Sequence, residues 1–333
     1  MSLRKFVATA ITPTLAGSGE ELTPIDYMVW QNEVRVLDQE KIFKLLARNP
    51  RLESYLDQLR KSERLEWTQW GGYAQNYCAE KIPFASAGLV AVWEKARNED
   101  IYVARFARAA GRGVIPGSAL KGAIRTAWWL GGMDPSKALA IWKDAVAGGR
   151  RFSPPPVRPA GLFSLGDARA SADAFRVYQS RVLVVRGEGK SEWKPGQLFV
   201  EMAKPGATFH GTAAIPEAAM EAARVQTRRW IAEHREYARA AAMKPLTEAV
   251  EKLAAAESAL PAGSLLIPLG WGAGLSSKAY VPGIGEAEVR MQIGRIPGIR
   301  KGPMPNMPFP KTRRVVLDGA GGAHLPGWIQ VDF

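Results

Sequence analysis

Residues 111–129, GRGVIPGSALKGAIRTAWW, place glycines, a serine and two cations at the start of an apolar helical pattern. Free backbone amides at a helix start and nearby cations both attract an anion, so this stretch suits a phosphate group. A Walker loop needs a lysine and a hydroxyl residue directly after its last glycine, but Ala123 and Ile124 follow Gly122. The dinucleotide pattern G-x-G-x-x-G also fails, because Pro116 occupies the position of its third glycine. The stretch is therefore not a nucleotide-binding loop of either kind.

Five residues of this stretch suit a phosphate: Gly117, Ser118, Lys121, Gly122 and Arg125. Ser118 is placed to cap a helix that begins near Ala119, by accepting a hydrogen bond from a first-turn amide. Lys121 and Arg125 are four residues apart and therefore share one helix face. The two glycines carry no side chain that would block the approach of a ligand. The pattern predicts a phosphate site at the helix start; the alternative is a helix start whose two cations are only solvated.

The charge balance of the chain indicates the class of its partner. The 333 residues include 45 Lys and Arg against 32 Asp and Glu, a formal net charge of +13. An excess of this size favours a polyanion, nucleic acid above all, although a basic protein without such a partner is the alternative. The excess is concentrated in two stretches that contain no acid, residues 102–133 and 289–314. Like charges in such stretches repel each other unless a polyanion or distant acids neutralise them.

Other features of the composition exclude several classes of site. The single cysteine, Cys78, excludes an internal disulfide and a cysteine-rich zinc site. The three histidines lie far apart in sequence, so we predict neither a metal site nor a cofactor. No apolar run reaches the ~20 residues that a membrane helix needs, and the first residues do not have the pattern of a signal peptide. We therefore expect a cytoplasmic protein without a membrane partner.

Short alternating patterns predict the strands that position these residues, and patterns of helical period predict the helices. Strands are predicted at residues 5–12, 27–38, 101–108, 181–187, 198–203, 208–215, 264–270, 313–319 and 327–333. Helices are predicted at 39–66 with an interruption at Pro50, from Ser118 onward, near 135–147, and at 216–260 with a break at Pro245. Because strands and helices do not alternate regularly, we expect an α+β fold with antiparallel sheets and helices on one face.

Several segments together resemble one protein family. IPGSALKGAIRTA at 115–127 is very close to the motif I-P-G-S-S-L-K-G-A-I-R-T of RAMP proteins, the RNA-binding subunits of CRISPR effector complexes. FVEMAKPGATFHGT at 199–212 resembles the E-x-x-x-P-G-T-x-F strand pair of that family, and PLGWGAGLSSK at 268–278 resembles its glycine-rich loop. ITPTLAGSGEELTPIDYMV at 11–29, together with FPKTRRVVLDG and HLPGWIQV near the end, resembles the fifth subunit of the Csm complex. Leu15 departs from the histidine that is usual in the opening motif.

The resemblance implies a fold, a place in a complex and a set of partners. It implies a single RAMP body over residues 1–333, with a ferredoxin-like, RRM-like antiparallel sheet and helical insertions at 39–66 and 216–260. It also implies a subunit that caps one end of a type III-A CRISPR complex, holds the 3′ portion of the crRNA and is needed for crRNA maturation and assembly. The implied partners are the crRNA and the other subunits, chiefly the repeated backbone RAMP subunit and the small subunit.

The predicted RNA-binding residues are Arg112, Gly117, Ser118, Lys121, Gly122, Arg125, Gly270, Trp271, Gly272, Gly274 and Lys278. Under the resemblance, the cations hold crRNA phosphates, first-turn amides add hydrogen bonds, and the glycines let RNA approach the chain. Trp271 is expected to stack on a base or a ribose, with a core position under a tight turn as the alternative. Arg112 and the basic residues of 290–314 are further candidates for contact with RNA or with a neighbouring subunit.

RNA cleavage needs a general base, an activated nucleophile or a metal cluster, and the sequence does not assemble one. Asp26, Asp167 and Asp173 are the acids nearest to the motifs, and capping explains Asp26. His210 lies in a predicted strand, where we expect a single histidine to be packed. We predict no catalytic residue; the alternative is a RAMP endoribonuclease that acts on crRNA precursor or target RNA. A RAMP subunit of another position or subtype is a third alternative, and the insertion at 216–260 disfavours the repeated backbone subunit.

Overall fold

The computed structural model describes residues 3–61, 77–132, 134, 136–137, 140, 144, 164–187, 189–274 and 311–333. Its strands are β1 (Arg4–Ala10), β2 (Gly17–Leu22), β3 (Tyr27–Trp30), β4 (Glu33–Leu37), β5 (Cys78–Pro83), β6 (Val103–Phe106), β7 (Arg108–Ala109), β8 (Arg112–Ile115), β9 (Ser164–Leu165), β10 (Ala168–Ala170), β11 (Phe175–Gly187), β12 (Lys190–Trp193), β13 (Leu198–Ala203), β14 (Thr208–Ala214), β15 (Ser264–Pro268), β16 (Thr312–Leu317), β17 (Ala323–His324) and β18 (Trp328–Asp332). Its helices are α1 (Gln39–Leu46), α2 (Leu52–Lys61), α3 (Ala87–Glu94), α4 (Gly117–Gly131), α5 (Glu217–Ala241) and α6 (Lys244–Ser258). The predicted α+β architecture is confirmed.

The first sheet positions most of the candidate site. Its eight strands run in the order β15-β18-β1-β14-β10-β8-β7, with β9 paired to β14, and neighbouring strands are antiparallel. Phe6, Ala8 and Ala10 of β1 are buried in the main core, which also contains apolar side chains of α4 and α5. Alternate residues of a strand point to opposite faces, so Lys5 lies on the other side of the sheet. The helices therefore cover one face and leave the Lys5 face open.

The second and third sheets complete the architecture. The second has seven strands in the order β17-β16-β11-β13-β6-β2, with β12 paired to β11, and its β13–β6 pair is parallel. The third sheet, β3-β4-β5, lies beside the helices α1 and α2. Ile42, Leu46 and Tyr55 of these helices form a small core with Met28 and Leu37. This small core is separate from the main one that supports the first sheet.

Close backbone contacts fix the helices on the first sheet. Gly131 lets α4 and α5 approach each other, because a Cβ at this position would overlap the carbonyl oxygen of Ala222.

The chain turns between α5 and α6 at Ala242, whose φ is 52°, and Pro245 lies in the first turn of α6. Proline suits that turn because its missing amide would have no intrahelical acceptor, so the predicted break at Pro245 is confirmed. In the described ranges, no helix has the length and apolar character that crossing a bilayer requires.

Several predicted elements differ from the structure. Residues 27–38 form the hairpin β3–β4 rather than one strand, because Gln31 and Asn32 take φ values of 48° and 64° in a two-residue turn. The helical pattern at 39–66 forms α1 and α2, interrupted at Pro50 as predicted, and residues 62–66 lie outside the described residues. Most of 135–147 lies outside them as well. Strand β2, GSGEEL, was not predicted because it is exposed and charged, as strands at a sheet edge often are.

Candidate nucleic-acid interface

Asp167, not Ser118, caps the helix at the centre of the predicted site. Helix α4 begins at Gly117, and the Gly117 amide donates a hydrogen bond of 2.8 Å to Asp167 Oδ1. An aspartate is a preferred capping acceptor, and its charge also complements the helix dipole. Ser118 is exposed within the first turn and makes no capping hydrogen bond. The predicted cap by Ser118 is therefore wrong, and the Gly117 amide faces Asp167 rather than a ligand.

Lys121 and Arg125 are half-buried and lie one turn apart on α4. In the part of the chain that the structure describes, no carboxylate forms an ion pair with either side chain. Arg125 Nε is buried and has no hydrogen-bond partner among the described residues. A buried donor in this state costs about 1–3 kcal/mol unless an acceptor reaches it. The helix surface beside Gly122, three residues before Arg125, is open, because no described atom lies within 4 Å of a Cβ built there.

Distant acids neutralise two of the five basic residues between positions 102 and 133. Arg105 Nη2 lies 2.6 Å from Glu80 Oε2, and Arg105 Nε lies 2.8 Å from Glu201 Oε2. Arg108 forms ion pairs with the same two carboxylates. Glu201 belongs to the segment FVEMAKPGATFHGT, and its side chain is fully buried on β13. The other three cations of this stretch are Arg112, Lys121 and Arg125. No carboxylate among the described residues forms an ion pair with any of them.

Arg112 is exposed at the start of β8 and lines a cavity of about 400 Å³. Arg108 and Asp173 line the same cavity. Asp173 Oδ1 lies 2.6 Å from Arg176 Nη1, and its Oδ2 lies 2.6 Å from Lys204 Nζ. Hydrogen bonds from Arg176 and then Lys204 hold the pKa of Asp173 well below its ordinary value. Asp173 is thus ionised and committed to these two cations, which leaves the charge of Arg112 available to a ligand.

The three acids considered for catalysis each have a structural partner. Asp26 Oδ2 accepts hydrogen bonds from the amide of Thr23 at 2.8 Å and from its hydroxyl at 2.6 Å. Asp167 caps α4, and Asp173 forms the ion pairs described above. The structural role predicted for Asp26 is confirmed. Among the described residues, no three His, Cys, Asp or Glu side chains lie close enough together to hold a metal ion.

His210 is exposed on the open face of the first sheet, so the expectation that it is packed is wrong. Its register partners are Val7 on β1 and Arg169 on β10. Together with Lys5 and Asp167 they line an open hollow of about 550 Å³. The sequence reasoning missed Lys5 and Arg169. The position of Lys5 follows from strand alternation, since the alternate residues Phe6, Ala8 and Ala10 of β1 are buried on the opposite face.

The glycine-rich loop packs against the N-terminal segment of the chain. Gly270, Gly272 and Gly274 take φ values of 77°, 85° and 75°, in the region that favours glycine. A Cβ on Gly270 would overlap the carbonyl oxygen of Leu15, which also accepts a hydrogen bond of 2.8 Å from the Trp271 amide. Backbone packing therefore explains the glycine at 270. Contact of the loop with RNA stays a prediction.

Trp271 is half-buried, and the guanidinium carbon of Arg314 lies 4.4 Å from the centre of one of its rings. A cation over an aromatic face is attracted to the ring electrons. Burial lowers the pKa of Arg314, since few polar groups replace its water. Arg314 therefore already covers part of the surface on which a base was predicted to stack. Lys278 and the basic residues 290, 295, 300 and 301 lie outside the described residues.

Comparisons with known proteins agree on the fold. No family model matches the chain, and no curated protein sequence matches it either. The structure is similar to a chain in the cryo-EM structure of a Csm–crRNA–target RNA ternary complex in a type III-A CRISPR-Cas system, with a TM-score of 0.68 and 18% identity over 98% of this chain and 100% of that chain. It is also similar to the crystal structure of T. onnurineus Csm5, with a TM-score of 0.58 and 17% identity over 97% and 99% of the two chains. The likeness shows that this chain has the same fold as these two chains.

Proposed function

We propose that this chain is a non-catalytic RNA-binding subunit of a type III-A CRISPR effector complex. It caps one end of the complex, holds the 3′ portion of the crRNA and is needed for crRNA maturation and assembly in antiviral defence. The observation that carries the proposal is the likeness to Csm chains, which extends over 97% or more of this chain and includes the helical segments. The partners are the crRNA, the repeated backbone subunit and the small subunit, and the complex acts in the cytoplasm.

The charges of α4 support binding to an RNA backbone. Lys121 and Arg125 have no described carboxylate partner, and the buried Nε of Arg125 lacks an acceptor. A phosphate oxygen supplies both the negative charge and the acceptor, because charge-assisted bonds between guanidinium and phosphate are among the strongest in proteins. Arg112 adds a third cation of the same stretch. Contacts of this kind position RNA without reading its sequence, as a subunit that holds many different crRNAs requires.

A second candidate function, an endoribonuclease on the same fold, is favoured by one observation. His210 is exposed on an open sheet face beside Arg169, where an RNA strand has access to it. A general base and a neighbouring cation are two of the groups that RNA cleavage uses. We favour the binding role, because Asp26, Asp167 and Asp173 each have a structural partner and do not orient His210.

One experiment tests both functions in the same tube. The purified chain is incubated with 5′- and 3′-labelled crRNA, with and without divalent metal, and binding and cutting are scored together. We expect salt-sensitive binding without cutting, and a loss of affinity in the Lys121→Ala/Arg125→Ala variant. The matched control is Lys44→Ala/Arg60→Ala, which removes two exposed cations of α1 and α2. The loss of two phosphate contacts is expected to make the slope of log association constant against log salt concentration less negative by about 1.4 for single-stranded RNA.

The outcomes separate the two functions. Equal losses of affinity in both double variants would show that only net charge matters, and would refute the α4 site. Cutting that co-purifies with the wild-type chain and disappears in His210→Ala would make the protein a nuclease.

A further inference from the structure

The cavity of about 400 Å³ that Arg112 lines is a groove along the free edge of a strand. One wall is formed by residues 80–83 of β5, and the others by the β7–β8 hairpin and the segment from Ala170 to Phe175. Strand β5 is the last strand of the third sheet and has β4 on one side only. An edge strand presents backbone N–H and C=O groups that no neighbouring strand has paired. The groove therefore offers main-chain groups as well as side chains.

Backbone hydrogen bonds show which groups of β5 face the groove. Directly after β5, the Phe84 amide donates a hydrogen bond of 2.8 Å to the β3–β4 turn, and the Ala85 amide donates one of 2.9 Å to β11 on the opposite side. Because these directions alternate along an extended chain, the backbone groups of Lys81 and Pro83 point away from β4. Proline has no amide, so Lys81 supplies the backbone donor of this edge. No described residue accepts a hydrogen bond from the Lys81 amide.

The charges along the groove favour an acidic occupant. Glu80 and Asp173, the carboxylates of its described lining, each form ion pairs with two cations. Lys81 and Arg112 are exposed, and in the described part of the chain no carboxylate forms an ion pair with either. Two positive charges, one on β5 and one on the hairpin, are thus left without a partner. Charge complementarity across an interface selects a partner of the opposite sign.

The hairpin that carries Arg112 is held in place by its own turn and by packing. Ala110 and Gly111 have φ values of 50° and 74°, as in the two-residue turns that match the twist of a hairpin. Gly113 lies directly against Phe175, since a Cβ at this position would overlap the phenyl ring. The wall of the groove that carries Arg112 is therefore positioned before a partner arrives.

We propose that this groove binds an extended acidic segment of a partner protein, which adds a strand beside β5 and places a carboxylate on Arg112. Strand addition derives affinity from main-chain hydrogen bonds and specificity from alternate side chains. A lysine at a sheet edge discourages pairing with other strands, so Lys81 favours a strand that carries acids. Of the two partners expected for Arg112, RNA and a neighbouring subunit, the groove thus favours a protein.

RNA fits this groove less well than a peptide does. Each nucleotide of a strand carries a phosphate charge, and Glu80 and Asp173 would repel those that pass along the walls. In an extended peptide only alternate side chains face one wall, so acids can be confined to the side of Lys81 and Arg112. The described lining contains no residue of α4, and the proposal therefore goes beyond the RNA binding proposed above.

The first test is a titration of the full chain with two fluorescein-labelled peptides of eight residues. Threonine alternates with glutamate in one peptide and with glutamine in the other, and fluorescence anisotropy measures the affinities. We expect the acidic peptide to bind more tightly, and its affinity to fall about fivefold in Lys81→Gln and in Arg112→Gln. Both side chains are exposed, so both variants are expected to fold. The control is Lys190→Gln, which removes an exposed cation outside the groove.

Hydrogen exchange separates strand addition from simple attraction between charges. We expect the acidic peptide to slow the exchange of the Lys81 amide, measured by mass spectrometry with fragmentation to single residues. An acidic peptide with N-methylated backbone amides keeps its charges but loses its main-chain donors. We expect this peptide to bind more weakly, because only side-chain contacts remain to it.

Three outcomes would overturn the proposal. The first is an acidic peptide that fails to bind the wild-type chain, or that binds all variants equally well. The second is binding that leaves the exchange of the Lys81 amide unchanged. The third is single-stranded RNA that displaces the peptide and loses the same affinity in Lys81→Gln and Arg112→Gln, which would make the groove an RNA site. Failure of the proposed function looks different: RNA then fails to bind the wild-type chain, while the acidic peptide still protects the Lys81 amide.

Discussion

Replacing the buried Glu201 by glutamine is expected to destabilise the fold by about 3 kcal/mol, because two arginines then share one carboxylate. Glu201 is 0% exposed; its Oε2 lies 2.8 Å from Arg105 Nε and 3.2 Å from the Phe106 amide, and its Oε1 pairs with Arg108. Removing one partner of a buried ion pair costs about 3–5 kcal/mol. We expect the lower end of that range, since Glu80 still pairs with both arginines in the variant.

Urea denaturation followed by circular dichroism measures this loss. The control is Glu192→Gln, which breaks the ion pair with Arg186. Both side chains of that pair are exposed, Arg186 to 59% and Glu192 to 51%. Exposed pairs contribute about 0–1 kcal/mol, so the control is expected to stay close to wild type. A loss below about 1 kcal/mol in Glu201→Gln, equal to that of the control, would refute a structural role for this glutamate. The E of the E-x-x-x-P-G-T-x-F motif would then need another explanation.

Three further predictions concern stability. Burial, and to a smaller extent the negative charge of Glu236, raises the pKa of Glu233 from 4.5 to about 7. The folded state therefore binds this proton more tightly than the unfolded state does. The resulting contribution to the free energy of unfolding is complete below pH 4.5 and is lost as pH rises through 7. We therefore expect Glu233→Gln to gain about 1–2 kcal/mol at pH 8, after allowance for partial exposure, and nothing at pH 4; equal gains in urea melts at both pH values would contradict this. Asp167→Ala is expected to cost about 1 kcal/mol in thermal unfolding through the lost α4 cap, without weakening RNA binding; a collapse of RNA affinity would assign the carboxylate to the interface. Gly270→Ala is expected to lower the free energy of unfolding by about 3 kcal/mol, and Gly111→Ala by about 1 kcal/mol. Both glycines have a positive φ, but only a Cβ at 270 would overlap a backbone atom, the carbonyl oxygen of Leu15. Equal losses in the two variants would show that this overlap costs nothing.

The sequence predicted the elements whose pattern is local. Strands such as β1, β13 and β18 alternate or carry apolar runs, and the break between α5 and α6 follows from Pro245. The short strands β7, β9 and β10 have two or three residues each, too few for a period to show. Their pairing depends on neighbours that lie far away in sequence. Hydrophobic periodicity does not contain that information.

The sequence predicted which cations belong to the candidate site, but not the contacts that its residues make with distant parts of the chain. The motif pointed to Lys121 and Arg125, whose spacing on one helix face is a local property. The cap by Asp167 could not be predicted, because that residue lies 50 positions after Gly117. The contact between Trp271 and Arg314 joins two distant segments in the same way. Such pairs become visible only once the sheets bring the segments together.

Site-specific crosslinking in the assembled complex tests the central claim most directly. Single photoreactive uridines are placed along the crRNA, from its 5′ end to its 3′ end, and crosslinked peptides of this chain are identified by mass spectrometry. We predict crosslinks from the 3′ portion to the peptide that carries Lys121 and Arg125, and their loss in the Lys121→Ala/Arg125→Ala variant. Crosslinks confined to the 5′ end, or none to this chain in an intact complex, would contradict its role as the subunit that holds the 3′ portion of the crRNA.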